Sequence, residues 1–440
     1  MDLRLTVGGA RVAYPALGFG AAAIGNLYRP ISDAEASEAV RVALAEGVTY
    51  FDTAPHYGFG LSETRLGAAL AQFDPEQRAL VSTKVGRRLE PIAEGAGAGS
   101  RHGFVDAAPF EPVFDYSYDA VMRSYVDSRR RLRRDRIDIL LAHDLGRLVH
   151  GDAHPERFHQ FMTGGYRALQ ELRDSGAVGA IGLGVNEWRV CEEALAVGDF
   201  DVFLLAGRYT LLEQAALDSF LPLCAARGVS VIVGGPFNSG VLAQGGAAPG
   251  PLRYDYETPP DTVMARVARL RAVCERFGVP LAAAALQFPL AHPQVCSVIP
   301  GLADPQEVTD AVRLMRTPLP EALWRTLREE GLLHPEAPTP MAPASPFLLL
   351  HEDDNVLVVR ASVRRGDLIV IEGRPTTATA DVEVGHKLAR RPLQAGDKVY
   401  KYGVPIGSMR VRAEAGEHLH MHNMRSDYIS GHTRDGVAAD

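Results

Sequence analysis

Four side chains that could share one reaction each follow a short apolar run: Asp52 in FDTAPHYG, Tyr57 five residues later, Lys84 in STKVG and His143 in LLAHD. A phenol can give a proton to a developing alkoxide or take one from an alcohol, provided its pKa is brought down from about 10. An ammonium buried beside it favours phenolate, and a carboxylate holds that ammonium charged and in place. An imidazole then orients and polarises the substrate oxygen. Such a set suits carbonyl reduction or alcohol oxidation by hydride. No side chain supplies hydride, so a bound nicotinamide is required. Singly, each residue has a plainer reading: Asp52 as a cap, Lys84 as a buried ion-pair partner, Tyr57 as a rim aromatic, His143 as a core histidine. Four such groups, each at the end of a strand-like run, weigh against coincidence.

The elements that must position them are β-like runs alternating with helical patterns. Eight such runs start at Ala16, Val48, Ala79, Ile137, Val178, Asp201, Val229 and Val295. Several are apolar throughout, as parallel strands covered on both faces must be, and the intervening segments are long enough for crossover helices. The expected architecture is α/β, a (β/α)8 TIM barrel whose catalytic rim lies at the strand C-termini. In the first connection Ser32 and Glu35 have capping-box spacing and Gly47 closes the helical pattern. The stretch from residue 85 to 118, rich in glycine and then in aromatics, follows a strand end and reads as a loop covering the substrate. GFGAAA from Gly18 formally fits a dinucleotide fingerprint, but no acidic residue follows at the required distance, so it reads as a tight first βα turn near the cofactor. IGLGVNE from Ile181 belongs to the strand leading to Asn186.

A chain of 440 residues exceeds one core. The barrel is expected over 1–333, a Pro/Ala linker over 334–346 in HPEAPTPMAPASP, and a small, mostly β domain over 347–440, where FLLLHEDDNVLVV, DLIVIE, KVYKYG and SMRV are strand patterns. The net charge of -8 offers no basic surface for a nucleic acid. RRRLRRDR over Arg129–Arg136 reads as a solvated helix face and C-terminus. No signal peptide or membrane-spanning run is present, so a cytoplasmic protein that engages no membrane is expected. Cys191, Cys224, Cys274 and Cys296 are scattered and read as reduced packing residues.

In order, FDTAPHYG, STKVG, LLAHD, GVN and SVIPG resemble the aldo-keto reductase superfamily over nearly all of the first 335 residues. FDYSYDAVMRS and LLAGRYTLLEQ further resemble its L-fucose and D-threo-aldose 1-dehydrogenase branch, which has pyridoxal dehydrogenase relatives. The resemblance implies Tyr57 as acid/base, Lys84 and Asp52 as its tuning pair, His143 as the substrate-orienting group and Asn186 as the holder of the nicotinamide carboxamide. It extends the cofactor contacts to Gly20, Ser239, Gly301 and Asp310. Where many relatives stack a tyrosine on the nicotinamide this chain has Gly234, and where they place a glutamine it has Ala206, so Phe237 or Tyr209 is expected to hold the ring. Gly301 and Glu307 stand where NADP-preferring relatives carry a lysine and an arginine. A carboxylate repels a 2'-phosphate and accepts from a free ribose hydroxyl, so NAD is favoured, with NADP the alternative.

Six of fourteen histidines follow the linker: His351, His386, His418, His420, His422 and His432. In EHLHMHN, strand periodicity would place His418, His420 and His422 on one face, a candidate metal set set against the plainer reading of a polar strand face, which is favoured. LLLHEDDNVLV, GHKLARRPLQAGDKVYKYGVPIG and AGEHLHMHN resemble the small N-terminal, SAF-like domain of altronate and galactarate dehydratases. The elimination chemistry of those enzymes needs a larger catalytic domain, so the tail is expected to bind, dock a sugar-acid dehydratase partner or assist assembly. The first expectation for function is NAD-dependent oxidation of a small-molecule sugar, L-fucose or a related aldose, at C1 to the aldonolactone, within sugar-acid degradation. The alternatives are an NADP-dependent reductase of small, pyridoxal-like aldehydes and a redox-inactive assembly subunit of a dehydratase.

Overall fold

The computed structural model describes residues 4–5, 13–93, 99–243, 254–255, 257–340, 346–372 and 374–427. The chain divides into two compact units, one of Met1–Met315 with Ala322–Pro340, the other of Arg316–Glu321 with Met341–Asp440.

In the first unit, the eight apolar runs become one eight-stranded sheet: β1 (Phe19–Gly20), β2 (Tyr50–Asp52), β3 (Leu80–Val85), β4 (Ile137–His143), β5 (Val178–Val185), β6 (Val202–Ala206), β7 (Ser230–Gly234) and β8 (Val295–Ile299). Each strand pairs in parallel with its neighbour in sequence. Parallel bridges Leu17–Val298 and Gly20–Gly301 bring β1 to β8, so the sheet curls into a barrel. Its interior is filled by side chains including Tyr50, Ile139, Leu141, Val202, Ile232 and Cys296, all buried. All four cysteines are free and buried, as packing residues should be. Gly182 shows why β5 carries glycines: a Cβ there would lie 1.6 Å from the Val202 carbonyl oxygen.

The first helix, α1 (Asp33–Ala45), starts as its sequence predicts. The Ser32 side chain accepts from the Glu35 backbone N–H at 3.2 Å, and Glu35 accepts from the Ser32 N–H at 2.7 Å. The arginine run departs from a plain solvated face. It ends α3 (Tyr118–Leu132), after α2 (Leu61–Phe73), but Arg131 pairs with the buried Glu63 of α2 at 2.6 Å. Arg134 is buried, donating to the Ala79 carbonyl at 2.8 Å beside Asp74 and Asp138. These two cations knit α2 and the start of β3 to α3, a tertiary use that a run of like charges does not signal.

Within the stretch between β3 and α3, Arg87–Pro91 pairs antiparallel with Phe110–Phe114, and Ser100–Arg101 with Phe104–Val105; residues 94–98 lie outside the description. The outer hairpin is anchored to the barrel: Leu27 bridges Phe104, and Ala108 donates to the Gly58 carbonyl at 3.0 Å. Phe59, Phe104 and Ala107 form a small buried cluster with the Tyr57 ring packed on it. Of the proline-rich stretch, His334 donates its N–H to the Gln214 side chain at 2.6 Å and Ala337 is buried, so its first residues are tied to the barrel side chains.

The second unit consists of short, mostly antiparallel strands, among them Phe347–Leu348, Val356–Val359, Lys387–Ala389, Lys398–Lys401 and Val404–Met409. Two apolar clusters make its core, one around Val359, Ile369 and Leu388, the other around Val356, Val399 and Leu419. The strand expected through EHLHMHN stops at Leu419; residues 420–423 form a turn in which the Asn423 carboxamide accepts from the His420 N–H at 3.0 Å. Asparagine competes for backbone partners and ends the ladder there.

Candidate active site

Strand register gathers the predicted residues. Asp52 lies opposite Ser82 between β2 and β3, Lys84 opposite Leu141 between β3 and β4, and His143 opposite Gly184 between β4 and β5, all at strand C-termini. The Lys84 ammonium, fully buried, donates to Asp52 Oδ2 at 2.7 Å, to the Thr53 carbonyl at 2.9 Å and to the Tyr57 hydroxyl at 3.1 Å. Asp52 Oδ1 accepts from Ser82 at 2.6 Å, so both its oxygens are used. Burial alone would lower the pKa of Lys84, but Asp52 and Tyr57 outweigh it and push it up to about 12. The ammonium is therefore charged, as expected.

The net effect on the phenol reverses the expectation. Burial pushes Tyr57 up, and Lys84 offsets only part of that rise. In the free protein Tyr57 thus holds its proton at neutral pH. The His143 ring stands edge-on to Tyr57 with centroids 5.9 Å apart. Burial, reinforced by the Arg87 guanidinium, drops His143 well below the ordinary histidine pKa, so the imidazole is neutral. It polarises an oxygen by hydrogen bonding rather than by charge.

Sequence reasoning did not single out three further groups. His56 lies 5.9 Å from His143 and 6.5 Å from Tyr57, ring to ring, so the three rings form a triangle. Asp144 follows His143 in a left-handed conformation, φ 50°, with its carboxylate buried. Arg87, three residues beyond Lys84, forms an ion pair with Asp144, donates to His56 Nε2 at 3.0 Å and sits over the Phe114 ring at 4.6 Å. The signals were in view, in HYG, HDL and STKVGRR, but one-dimensional spacing does not show that they meet.

The expected cofactor contacts fare unevenly. Asn186 lies beside Asp144, 3.5 Å between side-chain atoms, and its carbonyl accepts from Arg208 at 2.8 Å, which is itself fixed by Asp255. Phe237 is partly exposed in the turn after β7, and Ser239 follows it in a left-handed conformation. Tyr209 is a correction: it is 0% exposed, packed against Phe288 and His292, and has no ring face free to stack. Gly20 and Gly301 meet at the barrel seam. Glu307 accepts from the Ala303 N–H at 2.7 Å at the start of the helix Pro305–Arg316, and Asp310 pairs with Arg313 at 2.9 Å. Both carboxylates are thus used locally.

The site suits a nicotinamide ring. A phenol backed by a charged lysine can give or take a proton and would be served by a hydride carrier, and the rim at β6 to β8 is lined by Ala206, Gly234, Gly235 and Gly301. A Cβ at Gly235 would meet nothing nearer than 3.9 Å, and one at Gly301 nothing within 4 Å, so the rim there is open.

In the second unit His386 and His418 share a hydrogen bond of 2.9 Å, and the rings of His420 and His422 lie 5.7 and 5.6 Å from that of His418. Among the described residues no three His, Cys, Asp or Glu side chains are arranged to hold a metal ion. His432 lies outside the described residues.

This fold and this rim define an aldo-keto reductase. The chain belongs to the aldo/keto reductase family, whose model matches residues 16–330, and residues 345–427 match the altronate/galactarate dehydratase SAF domain. It is 43% identical to pyridoxal 4-dehydrogenase of Microbacterium luteolum over 72% of this chain and 94% of that protein, and 39% identical to D-threo-aldose 1-dehydrogenase of a Pseudomonas species over 75% and 97%. The holo form of an aldo-keto reductase from Bacillus halodurans superposes with a TM-score of 0.58 at 25% identity, covering 76% of this chain and 97% of that one. The tail is 32% identical to altronate dehydratase of Bacillus subtilis over 18% of this chain but only 16% of that protein. It is also 50% identical to the (2R)-sulfolactate sulfo-lyase subunit alpha of Paracoccus pantotrophus over 11% of this chain and 75% of that subunit. The protein is an oxidoreductase that uses a nicotinamide cofactor. Among the described residues no helix is long and apolar enough to cross a membrane.

Proposed function

We propose that the barrel is an NAD-dependent aldose 1-dehydrogenase, which oxidises L-fucose or a related aldose at C1 to the aldonolactone. The observation that supports this reading best is the polar cluster beside Tyr57. His56, His143, Asp144, Arg87 and Asn186 supply donors and acceptors for several hydroxyls at once, more than a simple aldehyde would use. When bound, the nicotinamide accepts the hydride that leaves C1. Tyr57, ionised, takes the anomeric hydroxyl proton; Lys84 stabilises the phenolate; Asp52 keeps Lys84 charged and aimed; neutral His143 orients the sugar oxygen.

The preference for NAD rests on charge. Glu307 and Asp304 put carboxylates at the start of the helix Pro305–Arg316, and Arg29, which reaches that point, is paired with Asp304 at 3.2 Å. A 2'-phosphate would meet negative charge there.

A second reading, oxidation or reduction of a pyridoxal-like ring, is supported by the 43% identity to pyridoxal 4-dehydrogenase of Microbacterium luteolum. The tail we read as a module that docks a sugar-acid dehydratase chain, so that the lactone, once hydrolysed, meets its dehydration step nearby. That a lyase subunit elsewhere corresponds to this domain over most of its length supports such a division of labour.

Absorbance of the reduced nicotinamide decides the catalytic question. The purified protein is given aldoses, pyridoxal and pyridoxine, each with NAD or NADP. NAD reduction with L-fucose or a stereochemical neighbour is the expected result. Turnover confined to the pyridine substrates would replace the aldose reading with the second, and turnover of none would leave the assembly subunit.

A further inference from the structure

Arg87 is not one of the four residues that carry the chemistry, yet it organises the wall beside them. Its strand partner geometry starts at Gly86, where φ is +96° and a Cβ would lie 2.3 Å from the Tyr116 ring, so only glycine turns the chain sharply enough after β3. Tyr116 is locked in turn by donating to the His143 carbonyl at 2.7 Å. The Arg87 side chain is 14% exposed and its charge is met by Asp144, 9% exposed.

A guanidinium only donates. Since Arg87 donates to His56 Nε2, that nitrogen carries the lone pair and His56 Nδ1 carries the hydrogen. His56 Nδ1 is buried and has no protein partner, and neither have His143 Nδ1 and Arg87 Nε. Three buried polar atoms in one corner of the site therefore lack what the fold normally provides, and orphaned groups of that kind cost free energy unless a ligand or water meets them. Two of them belong to the His56 and His143 rings, whose centroids lie 6.5 and 5.9 Å from that of Tyr57.

We infer that Arg87, acting through His56 and Asp144, is the specificity-determining residue of the site: it selects substrates with a hydroxyl on the carbon next to the reacting one. The fixed tautomer offers that hydroxyl oxygen a donor at His56, and the Asp144 carboxylate offers its hydrogen an acceptor. Arg87 is a positioning residue for both. This inference rests on the aldose reading of the barrel and names which part of the sugar is read.

The experiment compares the full-length wild type with Arg87→Gln and Arg87→Lys, on an aldose that the wild type oxidises, on its 2-deoxy counterpart, and, in the reductive direction, on a simple aldehyde with no neighbouring hydroxyl. Arg87→Gln is expected to raise KM for the aldose by about 10- to 100-fold, with a smaller change in kcat, because the two groups that bind the neighbouring hydroxyl lose the partner that aligns them. The 2-deoxy sugar and the simple aldehyde should lose less than the aldose, so that the aldose to 2-deoxy ratio of kcat/KM falls by about tenfold, and Arg87→Lys should recover part of the aldose KM. Equal losses on all three substrates, with an unaltered melting temperature, would overturn the inference. Should Arg87→Gln fail to fold, the ratio of aldose to 2-deoxy kcat/KM in wild type and Arg87→Lys decides it; a ratio near one in the wild type overturns it. A wild type that ignores sugars altogether fails the aldose reading instead, and that result is seen before any variant is made.

Discussion

The Lys84 ammonium donates to the Tyr57 hydroxyl at 3.1 Å, from a strand end across to a turn that follows a different strand. An ammonium only donates, so the hydroxyl accepts from it and keeps its own proton for the reaction. Removing the hydroxyl should cost chemistry and little stability. Tyr57→Phe is expected to lower kcat by roughly 10²- to 10⁴-fold in both directions, the usual worth of a positioned acid/base, with an unchanged thermal unfolding midpoint. Unchanged activity would remove Tyr57 from the mechanism.

The Lys84–Asp52 pair is buried and fully hydrogen-bonded, so breaking it from one side strands a charge. Lys84→Met alone should destabilise by about 3–5 kcal/mol, whereas Lys84→Met combined with Asp52→Leu should regain much of that loss, while both abolish turnover. Urea unfolding of the two single variants and the double variant supplies the coupling. Additive losses would mean that the two residues are stabilised separately.

Because burial holds Tyr57 above the ordinary tyrosine value, the direction of the pH profile follows. Oxidation needs the ionised phenol, so kcat/KM for the sugar should climb with pH and still be climbing near pH 10. Reduction needs the proton and should stay level over the same range. Two initial-rate series between pH 6 and 10.5 suffice. A break near pH 6.5 in either would contradict the neutral state of His143.

Acid should weaken the barrel through its neutral histidines. Burial, with Arg87 next to it, drops His56 to about 2, and His143 is lowered well below the ordinary value. An unfolded histidine takes up a proton as pH falls through about 6.5 while these two do not, so the unfolded state binds more protons and stability declines below that pH. Each histidine contributes about 1.4 kcal/mol per pH unit until its folded pKa is reached. His56→Gln should flatten the slope between pH 6 and 4 by one proton in guanidinium titrations, and an unaltered slope would show that His56 is protonated in the fold.

Cofactor choice can be tested at the rim. Glu307→Lys should raise the NADP to NAD ratio of kcat/KM by roughly two- to fivefold, the value of one solvent-exposed charge contact, and more strongly at low salt. A ratio that does not move with either the substitution or the salt would place the discrimination elsewhere.

The alternation of apolar runs with helical patterns was enough to locate the barrel strands, because strands covered on both faces are largely apolar. The capping box at Ser32 and Glu35 was legible for a similar reason, since both of its hydrogen bonds span three residues. The quartet of Asp52, Tyr57, Lys84 and His143 was legible because a barrel collects its strand C-termini at one rim whatever the loops do. Local spacing could not show that the net push on Tyr57 is upward, since desolvation depends on everything packed around the phenol. It could not reveal that Arg87 crosses from one loop to hold Asp144 and set the tautomer of His56, nor that Arg134 in a charged run is buried while Tyr209 is sealed from the cleft. It placed His418, His420 and His422 on one strand, where a turn at Asn423 intervenes. Periodicity is a property of the chain, carried by nearest neighbours. Charge balance, burial and hydrogen-bond partners come from residues far apart in sequence, and only the closed barrel brings those together.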